Sequence, residues 1–172
     1  RGWYIPGRRD NAESDATAWY ASMREFVAGY AQKRFGDHWH VNPEQSLVLR
    51  SGERTLHKQV QIWATAGTNQ TVKLLHGCSL FIYGARELLA SSPVQDCGGL
   101  RLVELPAALV AASPTLFVQN PMAAQIALAS LADASDVLRI LLDGSHSSLA
   151  GRLAGAFRAI GRAALAEEIL GA

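Results

Sequence analysis

The sequence changes character at residue 105, and this change limits the possible folds more than any other feature. From residue 105 to residue 172, 18 of the 68 residues are alanine, and the alternation typical of strands is absent. Pro106, Pro114 and Pro121 mark helix starts, because proline suits the first turn of a helix. The predicted helices cover residues 106–112, 121–132, 135–143, 146–160 and 163–170.

The residues before 105 predict two helices and a small sheet. A stripe of large apolar side chains follows helical spacing: Trp19, Met23, Phe26 and Tyr30. It predicts a helix from residue 14 or 15 to about 35, and a short second helix is predicted at 43–50 because proline starts it. Apolar and polar residues alternate at 55–65, which predicts a strand, and further strands are predicted at 72–75, 80–83 and 100–104.

These elements predict an α+β fold with an N-terminal helix, a small mostly antiparallel sheet and an Ala-rich helical half packed on it. A length of 172 residues suits one domain. We therefore expect a single α+β domain over 1–172, with a sheet-rich part at 1–104 and a helical part at 105–172.

Charge and cysteine content restrict the compartment and the partners. Sixteen Lys and Arg residues nearly balance 15 Asp and Glu residues, so the net charge of +1 gives little non-specific attraction to nucleic acid or to anionic membranes. No apolar run is long enough to span a bilayer, and no signal peptide is evident. Cys78 and Cys97, without a secretory signal, are typical of reduced thiols. We expect a cytoplasmic protein that does not bind membranes.

One group of residues has the spacing of a metal site. His38 and His40 would share one face of a strand, and Glu44 could supply a third ligand. The alternative is a half-exposed strand on which these histidines are ordinary polar side chains. We favour the alternative, because short motifs often match by chance.

The polar side of the 55–65 strand presents a row of four residues: His57, Gln59, Gln61 and Trp63. Such a row could line a groove, since amide side chains hydrogen-bond base edges or peptide backbones. Together with Arg50, Lys58 and Lys73 it could contact nucleic acid. The other interpretation is the solvated side of a strand that is buried only on its opposite side.

The predicted helix at 146–160 carries glycines and arginines opposite its apolar stripe. Gly151, Gly155, Arg158 and Arg162 fall on that side. Glycine disfavours a helix by about 1 kcal/mol relative to alanine, so two on one face suggest the close approach of a partner. Arg152, Arg158 and Arg162 would then pair with acidic groups. We expect charge reversal at Arg158 and Arg162 to weaken partner binding with little loss of stability. The alternative is a solvated face.

No complete catalytic motif is present. The sequence contains no phosphate-binding glycine loop and no Gly-x-Ser-x-Gly elbow, so we assign no catalytic residue and expect no cofactor. A metalloenzyme that uses histidines stays the least favoured alternative.

Several phrases of the sequence occur together in one known group of proteins. They are Arg1-Gly2-Trp3-Tyr4, Ala18-Trp19-Tyr20-Ala21, Arg34-Phe35-Gly36-Asp37, Pro43-Glu44-Gln45-Ser46-Leu47, His76-Gly77, Leu105-Pro106-Ala107-Ala108-Leu109-Val110 and Gly151-Arg152-Leu153-Ala154-Gly155-Ala156-Phe157-Arg158. In combination they resemble the region that precedes the catalytic domain in bacterial Fic-family (cell filamentation) proteins. That region in turn resembles the C-terminal part of AbiEi-type antitoxins, which follows a winged helix.

The resemblance implies a non-catalytic regulatory or interaction domain. The Fic loop His-Pro-Phe-x-x-Gly-Asn-Gly-Arg is absent from the sequence, and none of its glutamates precedes Gly or Asn as in the Fic inhibitory helix. The expected partners are a neighbouring Fic or winged-helix domain or a protein target, with DNA contacted through a winged helix outside this chain. The alternative is a nucleic-acid contact module that supports a winged-helix transcriptional regulator.

Overall fold

The computed structural model describes residues 15–88, 99–143 and 147–171. These residues form eight α-helices and four strands, which confirms the α+β class. The helices are α1 (Asp15–Phe35), α2 (Pro43–Arg50), α3 (Leu105–Ala111), α4 (Pro114–Gln119), α5 (Pro121–Ser130), α6 (Ser135–Asp143), α7 (Ser147–Ala159) and α8 (Ala163–Gly171). The strands are β1 (Trp39–Val41), β2 (Gln59–Ala64), β3 (Gln70–Lys73) and β4 (Ser79–Gly84). The expectations for the N-terminal phrase Arg1-Gly2-Trp3-Tyr4 and for Cys97 lie outside the described residues.

The chain divides into two compact units. The first comprises Arg1–Asn42 and Thr55–Leu102 and contains α1 and the sheet. The second comprises Pro43–Arg54 and Val103–Ala172 and contains α2 to α8. The predicted change from sheet to helices at residue 105 is close to the observed boundary after Leu102, but α2 belongs to the helical unit. The assignment of 1–172 to a single domain stays a prediction.

The sheet of the first unit is mixed, with strand order β1-β2-β4-β3. The β1–β2 and β3–β4 pairs are antiparallel, whereas β2 and β4 are parallel, with Ile62 beside Ile82. A 3₁₀ turn at Leu75–Gly77 reverses the chain between β3 and β4. The central pair of strands is therefore the parallel one, and each outer strand adds to it in the antiparallel direction.

One face of this sheet is buried beneath α1. In β2 and β4 buried residues alternate with less buried ones, and in β1 all three residues are buried. The buried apolar residues of the strands are Trp39, Val41, Val60, Ile62, Ala64, Leu80 and Ile82. The α1 residues Trp19, Met23, Val27, Ala31 and Phe35 are also buried. Hydrogen bonds join the two layers, from Trp39 Nε1 to Gln32 Oε1 (3.4 Å) and from Trp19 Nε1 to the Sγ of buried Cys78 (3.4 Å). Each large apolar side chain buried here contributes about 1.5–3 kcal/mol.

The loop between β2 and β3 lies against the end of β4. Gly67 N donates to Ala64 O (3.0 Å), and Asn69 Oδ1 accepts from Gly84 N (2.9 Å). A Cβ atom at Gly67 would overlap the main-chain carbonyl of Tyr83, and one at Gly84 would lie 2.5 Å from Gly67 O. Glycine at both positions is what lets the two backbone segments approach and fixes the main chain at Tyr83.

The second unit is a helical bundle around α3. Four consecutive residues of α3 are buried, and the helix contacts α2, α5, α6 and α7. Polar groups of α2 bind the backbone on both sides of α3. Ser46 Oγ accepts from Val103 N (3.2 Å), Arg50 Nε donates to Val103 O (2.8 Å), and Glu44 Oε1 accepts from Ser113 N (3.1 Å). These bonds tie α2 to the main chain just before and just after α3.

Three sequence expectations differ from the structure. The predicted strand at 100–104 is reduced to an isolated bridge at Arg101, whose carbonyl accepts a hydrogen bond from Val41 N of β1 (2.8 Å). The predicted strand at 55–65 begins only at Gln59, so His57 lies before β2 rather than within it. The helix start at Pro114 leads into a separate short helix, α4.

We predict that Gly67→Ala destabilises the protein by roughly 1–3 kcal/mol, because the added methyl group would displace backbone rather than a flexible side chain. Chemical denaturation with circular dichroism measures the loss. The matched control is Gly29→Ala in the exposed part of α1, where a Cβ would meet nothing within 4 Å. That variant should keep its stability or gain up to about 1 kcal/mol. Equal effects of the two changes would contradict the tight loop contact.

Candidate functional site

The face of the sheet opposite α1 carries a row of three aromatic rings. His40 on β1 pairs with Trp63 on β2, and Trp63 pairs with Tyr83 on β4. The ring centroids are 5.7 Å apart for His40 and Trp63, and 5.3 Å apart for Trp63 and Tyr83. Burial decreases along the row, since His40 is fully buried, Trp63 is half-buried and Tyr83 is 44% exposed. The row thus ends in an aromatic surface that solvent reaches.

Two further rows of side chains complete this face. The second row is Asn42, Gln61, Phe81 and Thr71, and the third is Gln59, Ser79 and Lys73. Within them Asn42 Nδ2 donates to Gln61 Oε1 (3.0 Å), and Gln59 Nε2 donates to Ser79 Oγ (3.2 Å). We call these three rows together the polar-aromatic face. It contains Gln59 and Gln61 of the predicted polar row, whereas exposed His57 precedes the strand.

The strands β2 to β4, with the loops between them, carry charge of one sign. The sequence from Thr55 to Gly84, which includes β2, β3 and β4, contains Lys58 and Lys73 but no Asp or Glu. Lys73 pairs in register with Ser79, and Lys58 O accepts a hydrogen bond from Ser79 N (2.7 Å). Both lysines therefore belong to the same end of the sheet. This end is about 13 Å from the aromatic row, because Tyr83 is four residue steps beyond Ser79 along β4.

His40 anchors the buried end of the aromatic row. Its Nδ1 lies 2.8 Å from Val41 O, so Nδ1 donates and Nε2 carries the lone pair, and no described group is within hydrogen-bonding distance of Nε2. Burial lowers the pKa of His40, the bond to Val41 opposes this, and the nearby Arg101 cation adds to the lowering. The neutral imidazole is therefore the form that the folded chain favours.

The predicted metal group does not come together as a site. His38 is exposed and precedes β1, His40 is buried with Nδ1 bound to Val41 O, and Glu44 binds Ser113 N in the second unit. Within residues 15–88, 99–143 and 147–171, no three His, Cys, Asp or Glu side chains are placed to hold a metal ion. The strand that carries His40 is buried at all three residues, whereas the sequence suggested a half-exposed one.

Two of the three arginines predicted to face a partner bind their own unit. Arg152 Nη2 donates to Val110 O (3.1 Å) near the end of α3. Arg162 contacts four carbonyl oxygens at the end of α5, namely those of Leu128, Ala129, Leu131 and Ala132. These carbonyls lack partners within the helix, so the guanidinium acts as a C-terminal cap. The expectation that charge reversal at Arg162 leaves stability unchanged therefore needs correction.

Arg158 and the two glycines are placed differently. Arg158 forms an exposed ion pair with Glu167 (2.6 Å). Gly151 and Gly155 are exposed, and beyond the neighbouring residues and backbone of α7 itself, no described atom lies within 4 Å of a Cβ built at either position. The close approach that would explain these glycines is therefore not made by a described part of the chain.

A groove in the second unit was not predicted from the sequence. It has a volume of about 620 Å³ and lies between the end of α2 and the start of α5. Its lining includes Val48, Arg54, Asn120, Met122 and Ile126. Met122 on α5 is 69% exposed. The spacing of Met122 and Ile126 by four residues is the available signal, although helix spacing alone does not distinguish a core face from an exposed one.

We predict that stability decreases as the pH falls below about 6.5, the ordinary pKa of histidine. The pKa of His40 is lowered in the folded state, so the unfolded chain binds the proton more tightly and acid favours unfolding. Denaturation at several pH values between about 7.5 and 5 measures the slope. His40→Asn keeps a donor near the Nδ1 position and removes the titration, so its slope in this range should be shallower. Identical slopes would contradict a buried neutral His40.

We predict that Arg162→Ala lowers the free energy of unfolding by about 2 kcal/mol, because four carbonyl groups lose a charged donor. Arg158→Ala is the matched control. Its ion pair with Glu167 is exposed, so it should change stability by less than about 1 kcal/mol. Thermal and chemical unfolding compare the two variants. A loss for Arg158→Ala as large as that for Arg162→Ala would show that the carbonyl cluster has no special role.

Comparisons with known proteins identify no family for this chain. No protein-family model, no curated protein and no solved structure matches the chain. Among the described residues, no helix is long and apolar enough to cross a membrane.

Proposed function

We propose that this chain is a non-catalytic interaction domain, with the polar-aromatic face as its binding surface. The observation that carries this proposal is the exposed end of the aromatic row, where Trp63 and Tyr83 lie 5.3 Å apart beside the Gln61 amide. Exposed aromatic rings next to hydrogen-bonding amides are typical of recognition surfaces. Trp63 and Tyr83 lie on the central, parallel pair of strands, whose opposite face is buried, and this pair supports both rings.

The resemblance to the region before the catalytic domain of bacterial Fic proteins gives this domain a context. We propose that it regulates a larger cytoplasmic protein of that type, in the manner of an AbiEi-type antitoxin. Its partner would be a neighbouring Fic or winged-helix domain or a protein target. The absence of the Fic loop motif from the sequence supports a regulatory role for the chain rather than nucleotide transfer.

The outer face of α7 supports the same class of function independently. Gly151 and Gly155 leave a low surface that would admit a close neighbour, and Arg158 lies on the same side with only an exposed ion partner. Arg152 and Arg162 are engaged within the unit, so Arg158 is the better candidate for pairing with an acidic group of a partner.

A specific observation also favours the alternative, a nucleic-acid contact module that assists a winged helix. Lys73 belongs to a strand of the polar-aromatic face, Lys58 directly precedes β2, and the four strands contain no carboxylate. Arg50, which the sequence grouped with these lysines, instead binds Val103 O in the helical unit. The nucleic-acid alternative therefore depends on Lys58 and Lys73.

The proposal predicts that a photoreactive side chain at position 83 captures a macromolecule. Tyr83 is replaced by benzoylphenylalanine in bacterial cells that express the protein, the cells are irradiated, and adducts are detected by a shift in gel mobility. The matched control carries the same group at Tyr20, which is 42% exposed on α1. We expect an adduct at position 83 and a much weaker one at position 20.

The result would contradict the proposal if position 83 gave no adduct, or if both positions gave the same adducts in equal amounts.

A second measurement tests the non-catalytic assignment. The purified chain with Mg-ATP should transfer no nucleotide to itself or to added protein, and transfer that persists in highly purified chain would overturn the assignment.

A further inference from the structure

We infer that the ligand of the polar-aromatic face is a single-stranded nucleic acid, whose bases stack on Trp63 and Tyr83. This inference rests on the interaction surface of the proposed function, and for that surface it takes the nucleic-acid alternative instead of a protein partner. It goes further in committing to one chemistry of binding: ring stacking at one end of the face and phosphate contact at the other.

The geometry of the aromatic end suits stacking. Trp63 is half-buried between His40 and Tyr83, so its ring is held by neighbours on both sides. Tyr83 follows at 5.3 Å and is the most exposed of the three rings. A flat base gains about 1–3 kcal/mol by stacking on an aromatic side chain, and every base offers such a face. The rings therefore attract nucleic acid without selecting a sequence.

The middle row offers groups that contact base edges. Gln61 lies two residues before Trp63 on the same side of β2, and its amide is oriented by the hydrogen bond from Asn42 Nδ2 (3.0 Å). Phe81 beside it is half-buried and adds apolar surface. Amide side chains present both a donor and an acceptor, which matches the mixed edges of unpaired bases.

The far end of the face offers cations for the phosphate backbone. Lys73 is exposed and shares the third row with Ser79 and Gln59, and exposed Lys58 directly precedes β2. The distance of about 13 Å from the aromatic row corresponds to roughly two nucleotides of an extended strand. Because β2, β3 and β4 contain no Asp or Glu, no carboxylate of these strands repels a phosphate.

The same features favour a single strand over a duplex and over an acidic protein. A duplex hides the faces of its bases, so Trp63 and Tyr83 would have nothing to stack on. With a net charge of only +1, the chain gains little from the denser phosphates of a duplex. An acidic protein would also use the lysines, but it offers fewer flat faces to the two rings than a strand in which every residue carries a base.

The test measures binding of fluorescein-labelled strands by fluorescence anisotropy, with the full chain as the titrant. The probes are a mixed-sequence DNA strand of about 12 nucleotides, the RNA strand of the same sequence and the corresponding DNA duplex. Salt is varied from about 50 to about 200 mM. We expect the single strands to bind at least about tenfold more tightly than the duplex.

Four variants separate stacking from charge. Tyr83→Ala should weaken single-strand binding by about tenfold, and Tyr83→Phe should keep the affinity because it keeps the ring. Tyr20→Ala, which removes a tyrosine of similar exposure on α1, should leave the affinity unchanged. Lys73→Gln should lower the slope of log affinity against log salt by about 0.7, as expected when one phosphate contact is lost. Circular dichroism confirms that each variant is folded.

Three results would overturn the inference: no binding of any strand at low salt, equal affinity for duplex and single strand, or equal effects of Tyr83→Ala and Tyr20→Ala. The crosslinking experiment distinguishes its failure from that of the proposed function. If the strands do not bind but position 83 captures a protein, the inference is wrong and the interaction surface stands. If neither binds, both are wrong.

Discussion

The structure of the first unit depends on the burial of one face of its sheet against α1. Ile62 and Leu80 in the two central strands are both excluded from solvent, and moving such side chains to water would remove about 1.5–3 kcal/mol each. Side chains alternate between the two faces with a period of two, so burial of this set directs Trp63 and Tyr83 to the opposite face. A shift of register by one residue would bury the polar set, and the core therefore fixes the polar-aromatic face.

How far the sequence predicts this face depends on which interactions are local. The alternation in β2 separates Gln59, Gln61 and Trp63 from the apolar residues, and this much is visible from the sequence. The position of Tyr83 beside Trp63 is not visible from the sequence. It depends on the parallel pairing of β2 with β4, and β3 lies between these two strands in the sequence but not in the sheet. His57 was grouped with the row because alternation extends past the true start of the strand. The residues that β2 gives to the polar-aromatic face can thus be predicted from the sequence, whereas the residues beside them on other strands cannot.

The helices show the same division between local and distant effects. Proline lies in the first turn of α2, α3, α4 and α5, and this local signal places the starts of these four helices. The membership of α2 in the helical unit depends on bonds from Ser46, Glu44 and Arg50 to residues beyond 102, which no local pattern reports. Helical spacing likewise places Arg158 and Arg162 on one face. It does not show that Arg162 binds the carbonyl groups at the end of α5 while Arg158 pairs with Glu167.

The residues of the polar-aromatic face determine how much of any binding free energy comes from charge and how much from stacking on the rings. Two lysines can neutralise about two phosphates, so counterion release supplies only a small part of any binding free energy. Most of the affinity must then come from the rings, whose contribution is reduced if they must first become ordered. The contacts of Trp63 with His40 and Tyr83, and the tight backbone approach at Gly67 and Gly84, hold the rings in place before a ligand arrives. A nearly neutral domain can thus bind a polyanion if its rings are ordered in advance.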